Sequence, residues 1–393
     1  MTGEASEPLI SETSKHSLDQ PTESPQRPSK IVKLNDDIAG NGVEEEEQCA
    51  SNLSEKQMNS NPRLQRYLVA VEYIGTRFAG AQQQSNCRTV VGVLEEAFKK
   101  FIGQPVSIFC SSRTDAGVHA LSNVCHVDVE RISKRKPGEV LPPHEPEVVK
   151  RAVNHFLQKN EGDVTVIDVR RVAADFHSRY KAQERTYFYR ILSGPEPLSA
   201  FNKDRAWHVP EELDLHSMQV DWKQACRILV GHHDFSSFRA AACQAKSPIR
   251  TLDELNVTEV VSTPYFPSIL ERQPSDAVME SLSETLNSKA SFPCSVIPNQ
   301  VKLGGSDHEF GIRRRHRCLV VTARARSFLY HQVRLLVGVL KAVGTGDLTV
   351  PDVKRILDAK TITAASPMAP ACGLYLGHVK YDLPPETGSE ERT

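Results

Sequence analysis

The chain lacks the features that define several large protein classes. None of its 393 residues form an apolar run of the roughly 20 needed to cross a bilayer. Nine cysteines are present, an odd number with no Cys-x-x-Cys pair, which argues against both a zinc ribbon and a disulfide framework. Reduced intracellular thiols are the expected state. The N-terminal stretch has neither a secretory apolar core nor the Arg-rich, acid-poor character of a transit peptide, so cytoplasm or nucleus is expected rather than an organelle. The glycines at 338, 344 and 346 lack the Lys-Ser/Thr of a phosphate loop, and Gly75 and Gly80 make no dinucleotide fingerprint. His232, His233 and Asp234 are metal-ligand types, but adjacent side chains diverge on a helix or strand, so no shared ion is expected.

Charge is nearly absent in total, at −1, yet it is unevenly spread. Residues 1–62 hold twelve acidic residues against five basic ones, a balance of −7 that leaves +6 for the rest. A basic body behind an acidic tail suits a polyanionic partner. Rich in Ser, Glu, Pro and Asn, with almost no aromatics, residues 1–62 are expected to be a disordered tail. Residues 384–393 read as a second flexible tail. The stretch of about 263–310, rich in Pro and Ser and without a period, reads as an inserted loop.

Between these segments strands and helices mix without regular βαβ alternation. Strands are predicted at 67–71, 106–110, 124–129, 164–169, 186–192, 255–261, 318–323 and 373–379. Helices are predicted at about 89–102, 146–158, 211–230, 328–343 and 351–358, with Thr89 as the N-cap of the first. The pattern predicts an α+β fold with helices on one sheet face.

Within this frame the stretch Ser111-Ser112-Arg113-Thr114-Asp115-Ala116-Gly117-Val118-His119-Ala120 stands between two predicted strands. Thr-Asp-Gly types alone make an ordinary polar turn. A carboxylate in a loop braced by strands is also a favoured arrangement for catalysis.

The decapeptide resembles the signature loop of the TruA family of tRNA pseudouridine synthases. Glu72 to Gln84 resembles the family's N-terminal loop, and Phe176-His177-Ser178-Arg179 with Arg185-Thr186-Tyr187-Phe188-Tyr189-Arg190 its tyrosine-bearing segment. His233 to Arg239, Phe328-Leu329-Tyr330-His331-Gln332-Val333-Arg334 and Gly373-Leu374-Tyr375-Leu376 also match, in the family's order, over roughly 66–383. The resemblance implies two α/β domains, at 63–174 and 175–383, with mainly antiparallel sheets joined across a central active-site cleft. It implies a tRNA substrate, the anticodon stem-loop as target and a homodimer. The alternatives are a non-catalytic tRNA-binding or chaperone protein on the same fold, and a metal-dependent RNA hydrolase, disfavoured by the lack of clustered ligands. Ala81 stands where bacterial members commonly carry Trp, a loss of stacking surface on that side of the cleft.

Making pseudouridine breaks the uracil–ribose N-glycosidic bond, turns the base and rejoins it through carbon. No oxidation or energy input is involved, so neither cofactor nor metal is expected. One carboxylate acting as nucleophile or base is required, and the resemblance assigns this to Asp115. Whether it attacks the ring or the ribose, or abstracts a ribose proton, stays open. Arg113 is a candidate to pair with Asp115 and keep it ionised, or to fill the gap left by an extruded nucleotide. The resemblance gives Tyr187 the uracil-stacking or proton-transfer role, the other reading being a tyrosine packed into a sheet. Tyr189, two residues on along the same face, competes for it.

Extruding a base takes a few kcal/mol, which one base–aromatic stack of about 1–3 kcal/mol can largely offset. Phosphate contacts are expected from Arg313, Arg314 and Arg315, with His316, Arg317, Arg324 and Arg326 beyond them; the competing reading is a solvated strand edge. His331 and Arg334, three apart on one predicted helix face, complete the candidates. The resemblance places them beside the active site.

Overall fold

Alternating burial is plainest in the first strand, where Tyr67, Val69, Val71 and Tyr73 point inward from one face. The computed structural model describes residues 63–159, 162–213, 215–261, 316–365 and 367–383. The expected tails and the 263–310 insertion lie outside them, as do Arg313, Arg314 and Arg315. Ten strands occur among the described residues: β1 (Leu64–Tyr73), β2 (Ile108–Cys110), β3 (His119–Glu130), β4 (Val164–Val172), β5 (Glu184–Ser193), β6 (Trp207–Val209), β7 (Gly231–Asp234), β8 (Ile249–Val260), β9 (Arg317–Ala325) and β10 (Leu374–Lys380). Five α-helices accompany them: α1 (Val90–Ile102), α2 (Pro146–Gln158), α3 (Leu215–Leu229), α4 (Gln332–Gly344) and α5 (Val350–Ala359).

All ten strands join one sheet in the order β4-β1-β3-β10-β5-β9-β8-β7, with β2 added to β3 and β6 to β5. Pairing is antiparallel except for β10 with β3 and β5 with β6. The β3–β10 pairing is short, with Tyr375 opposite His119 and Leu376 opposite Ala120. To one side of it α1 and α2 pack with β1, β3 and β4 around Leu94, Phe98, Val149 and Val153. To the other α3, α4 and α5 pack with β5, β8 and β9 around Leu229, Phe238, Leu336 and Leu340. The expected α+β class is the observed one.

Local rules explain several boundaries. Thr89 accepts a hydrogen bond from the Gly92 amide at the start of α1, and Gly103 closes the helix in the left-handed region at φ 88°. In α2 the stripe Val149, Val153, Leu157 is buried and Pro146 stands in the first turn. Two expectations shift. The helix expected from 328 begins at Gln332, because His331 adopts φ 63°, which an α-helix cannot include. The strand expected from 255 begins at Ile249, since β7 pairs with Ile249–Leu252 and extends it.

Candidate active site

The loop between β2 and β3 is held by buried polar contacts. The Tyr73 hydroxyl and Thr114 Oγ1 are 2.7 Å apart, and Asn123 Nδ2 donates to the Tyr73 hydroxyl and to the Ser112 carbonyl, both at 3.2 Å. Ser111 Oγ donates to Asn123 Oδ1 at 3.0 Å. The Glu72–Gln84 segment wraps the same loop, its Ala81 amide donating to the Thr114 carbonyl at 3.0 Å. Two glycines permit that close approach. A Cβ on Gly75 would lie 1.9 Å from the Val118 carbonyl oxygen, and Gly80 combines φ +115° with a would-be contact of 3.0 Å to the Thr114 oxygen. Ala81 is 1 % exposed and packs in the core cluster of the first helices and strands.

Asp115 projects from this loop toward the first turn of α4. Its Oδ2 lies 3.2 Å from His331 Nε2 and 3.6 Å from Arg334 Nη1. Arg334 is itself fixed, its Nε donating to the Ala369 carbonyl at 2.8 Å. His331, at the N-cap position of α4, is stacked on Tyr330 with ring centres 3.7 Å apart. Burial pushes the Asp115 carboxyl above the usual carboxylate range, against the pull of His331 and Arg334. Burial holds His331 below the ordinary histidine range, with Asp115 opposing. Arg334 carries a permanent positive charge beside the carboxylate, and His331 is the nearer of the two partners.

Tyr187 on β5 is half-buried and packs edge-on against Phe328, ring centres 5.2 Å apart. Burial raises its hydroxyl pKa, with Arg185 and Ser112 restraining the rise and the Asp115 charge adding to it. The structure thus brings Asp115, His331, Arg334 and Tyr187 together.

Other candidates fall elsewhere. Arg113 is exposed and makes no ion pair with Asp115; the expected pairing is replaced by Arg334. The two side chains are only two residues apart, but the loop turns Arg113 to solvent while Asp115 turns inward. Tyr189 is corrected as well. It is 0 % exposed, its hydroxyl donates to the Pro370 carbonyl at 2.7 Å, and Trp207 covers its ring edge-on, so no substrate surface is left. His232, His233 and Asp234 each have a separate partner, namely Thr251 Oγ1, the Val230 carbonyl and the Ser236 amide.

The sequence reading missed Arg185. Only 9 % exposed, it donates through Nε to Ser112 Oγ at 3.1 Å and through Nη2 to the carbonyls of Ser111 at 2.9 Å and Arg179 at 3.2 Å; Nη1 reaches the Arg326 carbonyl. One guanidinium therefore clamps the Asp115 loop to β5 and to two further segments. The available signal was a cation on the strand face that also carries Tyr187.

The sequence pattern of a tRNA pseudouridine synthase family matches residues 69–181 and 225–382. The chain belongs to this family. Among similar proteins, tRNA pseudouridine synthase A of Methylobacterium sp. (strain 4-46) is 36% identical over 319 residues, covering 81% of this chain and 98% of that protein. Its namesake from Rhodospirillum centenum is 37% identical over 318 residues, covering 81% of this chain and all of the relative. That of Paramagnetospirillum magneticum is 36% identical over 316 residues, 80% of this chain and 95% of its own. In this pseudouridine synthase family member the matched ranges contain Asp115, His331 and Arg334, while Arg185 and Tyr187 lie in the interval between them.

Proposed function

We propose that this chain is a tRNA pseudouridine synthase in which Asp115 is the catalytic carboxylate. The observation that carries the reading is Asp115 itself, a partly buried carboxylate, able to act as nucleophile or base, with His331 Nε2 at 3.2 Å and Arg334 Nη1 at 3.6 Å from its Oδ2. A protein that merely bound RNA would not need a carboxylate ion-paired in this manner. Isomerisation breaks the N1–C1′ bond, forms a C5–C1′ bond, releases the C5 proton to solvent and leaves N1 protonated. Electrons balance without a redox partner. Tyr187 forms a wall against which the uracil ring stacks while it turns.

The target we infer is a uridine of the anticodon stem-loop, and the working form a homodimer inside the cell. The family resemblance and the basic balance of residues 63–393 support the RNA target; the dimer rests on the resemblance alone.

Release of tritium from a tRNA transcript carrying uridine labelled at C5 tests the chemistry, because that hydrogen leaves only as the new bond forms. Wild-type protein should release it. Asp115→Asn should release none while binding tRNA within about tenfold of wild type, or 1.4 kcal/mol. Release by the purified variant would remove Asp115 from the mechanism.

A further inference from the structure

Beside the catalytic loop lies a run of rings that the reaction as described does not use. Phe109, on β2 and two residues before Ser111, is 53% exposed, and Tyr180 is 66% exposed. Phe109 stacks on His126 at 5.2 Å with planes 17° apart, His126 meets His177 edge-on at 4.6 Å, and His177 lies 4.3 Å from Tyr180. The backbone beneath is anchored: Ser178 Oγ donates to the Phe109 carbonyl at 2.7 Å and the Ser178 amide donates to His126 Nδ1 at 3.3 Å. Two large aromatic side chains thus rest on buried or half-buried histidines on one side and keep more than half of their surface open to solvent on the other.

Their surroundings are cationic. Arg113, Arg179, Lys181 and Arg326 are exposed, against the exposed acid Asp175 on the same segment. The nearby Asp128 is already paired with Arg66 at 2.6 Å. Arg185 gathers the Ser112 hydroxyl and the carbonyls of Ser111, Arg179 and Arg326 around a single guanidinium, so the backbones that carry Arg179 and Arg326 are tied to the Asp115 loop on which Arg113 stands. Burial holds His126 at about 4 and lowers His177 too, so the rings present neutral, flat surfaces at neutral pH. Neutral rings flanked by arginines are what single-stranded nucleic acid requires, since every base has a face to stack and every nucleotide a phosphate to neutralise.

We propose that Phe109, His177 and Tyr180 form a stacking shelf for an unpaired base of the RNA substrate beside the target uridine, with Arg179 and Arg326 holding the adjoining phosphates. This rests on the proposed activity for the identity of the RNA. From Phe109 to Asp115 is six residues of chain, at most about 20 Å, so shelf and catalytic carboxylate serve neighbouring nucleotides. A base held here keeps the strand open while its neighbour is extruded, and stacking on the shelf offsets part of the unstacking cost.

The test measures affinity of the full chain for an unmodified tRNA transcript across a salt series. Tyr180→Ala should raise Kd roughly five- to a hundredfold, the loss of one base stack, with the salt slope unchanged because no phosphate contact is removed. Tyr180→Phe should bind within about twofold of wild type, since the ring is retained. Phe109→Ala should weaken binding as Tyr180→Ala does, whereas Arg179→Gln should reduce the salt slope by about one. Thermal melts matching wild type show that Tyr180→Ala, at an exposed position, is folded. If Tyr180→Ala and Phe109→Ala both bind within twofold of wild type, the shelf is not an RNA surface. An active wild type with unaffected variants overturns the shelf alone. An inactive wild type whose binding still responds to these substitutions overturns the assigned chemistry and leaves the shelf standing.

Discussion

Replacing Arg334 by glutamine removes a charge and little else. The variant keeps an amide able to donate to the Ala369 carbonyl, the partner of Nε in the native site. What disappears is a cation 3.6 Å from Asp115 Oδ2, in a site where Arg334 and Asp115 side chains are 11% and 25% exposed. Opposite unit charges about 4 Å apart interact by roughly 4 kcal/mol at an effective dielectric near 20, against about 1 kcal/mol in water. His331 is the weaker replacement, because burial holds it below the ordinary histidine range whereas a guanidinium keeps its charge throughout. Burial then acts on Asp115 with only His331 left to oppose it, and its pKa rises further.

The sign follows directly. In the proposed mechanism Asp115 works as the carboxylate, so a higher pKa removes activity from the acid side first and restores it as pH increases. In a single-turnover tritium-release assay between pH 5 and 9, the acid limb of Arg334→Gln should move upward by about one to three pH units. Arg334→Lys, which retains the charge but not the planar fork, should keep the limb near wild type with a reduced plateau. An acid limb unmoved in a folded Arg334→Gln would show that this arginine does not keep the carboxylate ionised, and the electrostatic account of the site would fall.

Two further substitutions probe how the loop is held. Arg185→Met strips hydrogen-bond donors from two carbonyls and a hydroxyl at the Asp115 loop and Arg179, and from the Arg326 carbonyl. Unmet buried acceptors cost about 1–3 kcal/mol each and are not additive, so a loss of about 3–5 kcal/mol is expected in urea denaturation, with turnover falling more than tRNA affinity; a loss below 1 kcal/mol would refute the clamp. Gly75→Ala forces a methyl to within 1.9 Å of the Val118 carbonyl oxygen unless the backbone moves. It should destabilise by about 1–3 kcal/mol or more and slow turnover, and wild-type values for both would show that the loop tolerates displacement.

Local chemistry made part of the fold legible. Thr89 could be read as an N-cap because its role depends only on residues within one turn, and Val149, Val153 and Leu157 mark α2 because period 3.6 is intrinsic to a helix. Ile249 to Glu254 could not be read as strand: these residues carry charges on an exposed face and become strand by pairing with β7 and β9. The start of α4 was hidden for a related reason. Phe328-Leu329-Tyr330 continues the apolar period of the helix, and what ends it is the left-handed backbone of His331, a position few residues other than glycine adopt. The contact that position makes, with Asp115, lies in the other half of the chain. Tyr187 and Tyr189 share a strand face, so periodicity cannot choose between them. Trp207 and Pro370 do, by closing over the second.

Asp115 and its partner carry the same lesson into the chemistry. Proximity in sequence favoured Arg113, and a loop turn defeated it. A counter-charge acts strongly on a buried carboxylate only from within the same low-dielectric site, where a pair is worth several times its value in water. Arg113 is exposed, whereas Arg334 is almost buried and tied to Ala369. The selection of Arg334 thus follows from burial, which no local reading of Ser111 to Ala120 contains. Arg113 is left on the solvent side of the loop without a carboxylate partner among the described residues, while Arg185 ties the carbonyls of the exposed Arg179 and Arg326 to the same loop. One loop therefore turns a carboxylate inward and an exposed cation outward. The buried Tyr73–Thr114 and Asn123–Ser112 hydrogen bonds hold the loop in this orientation.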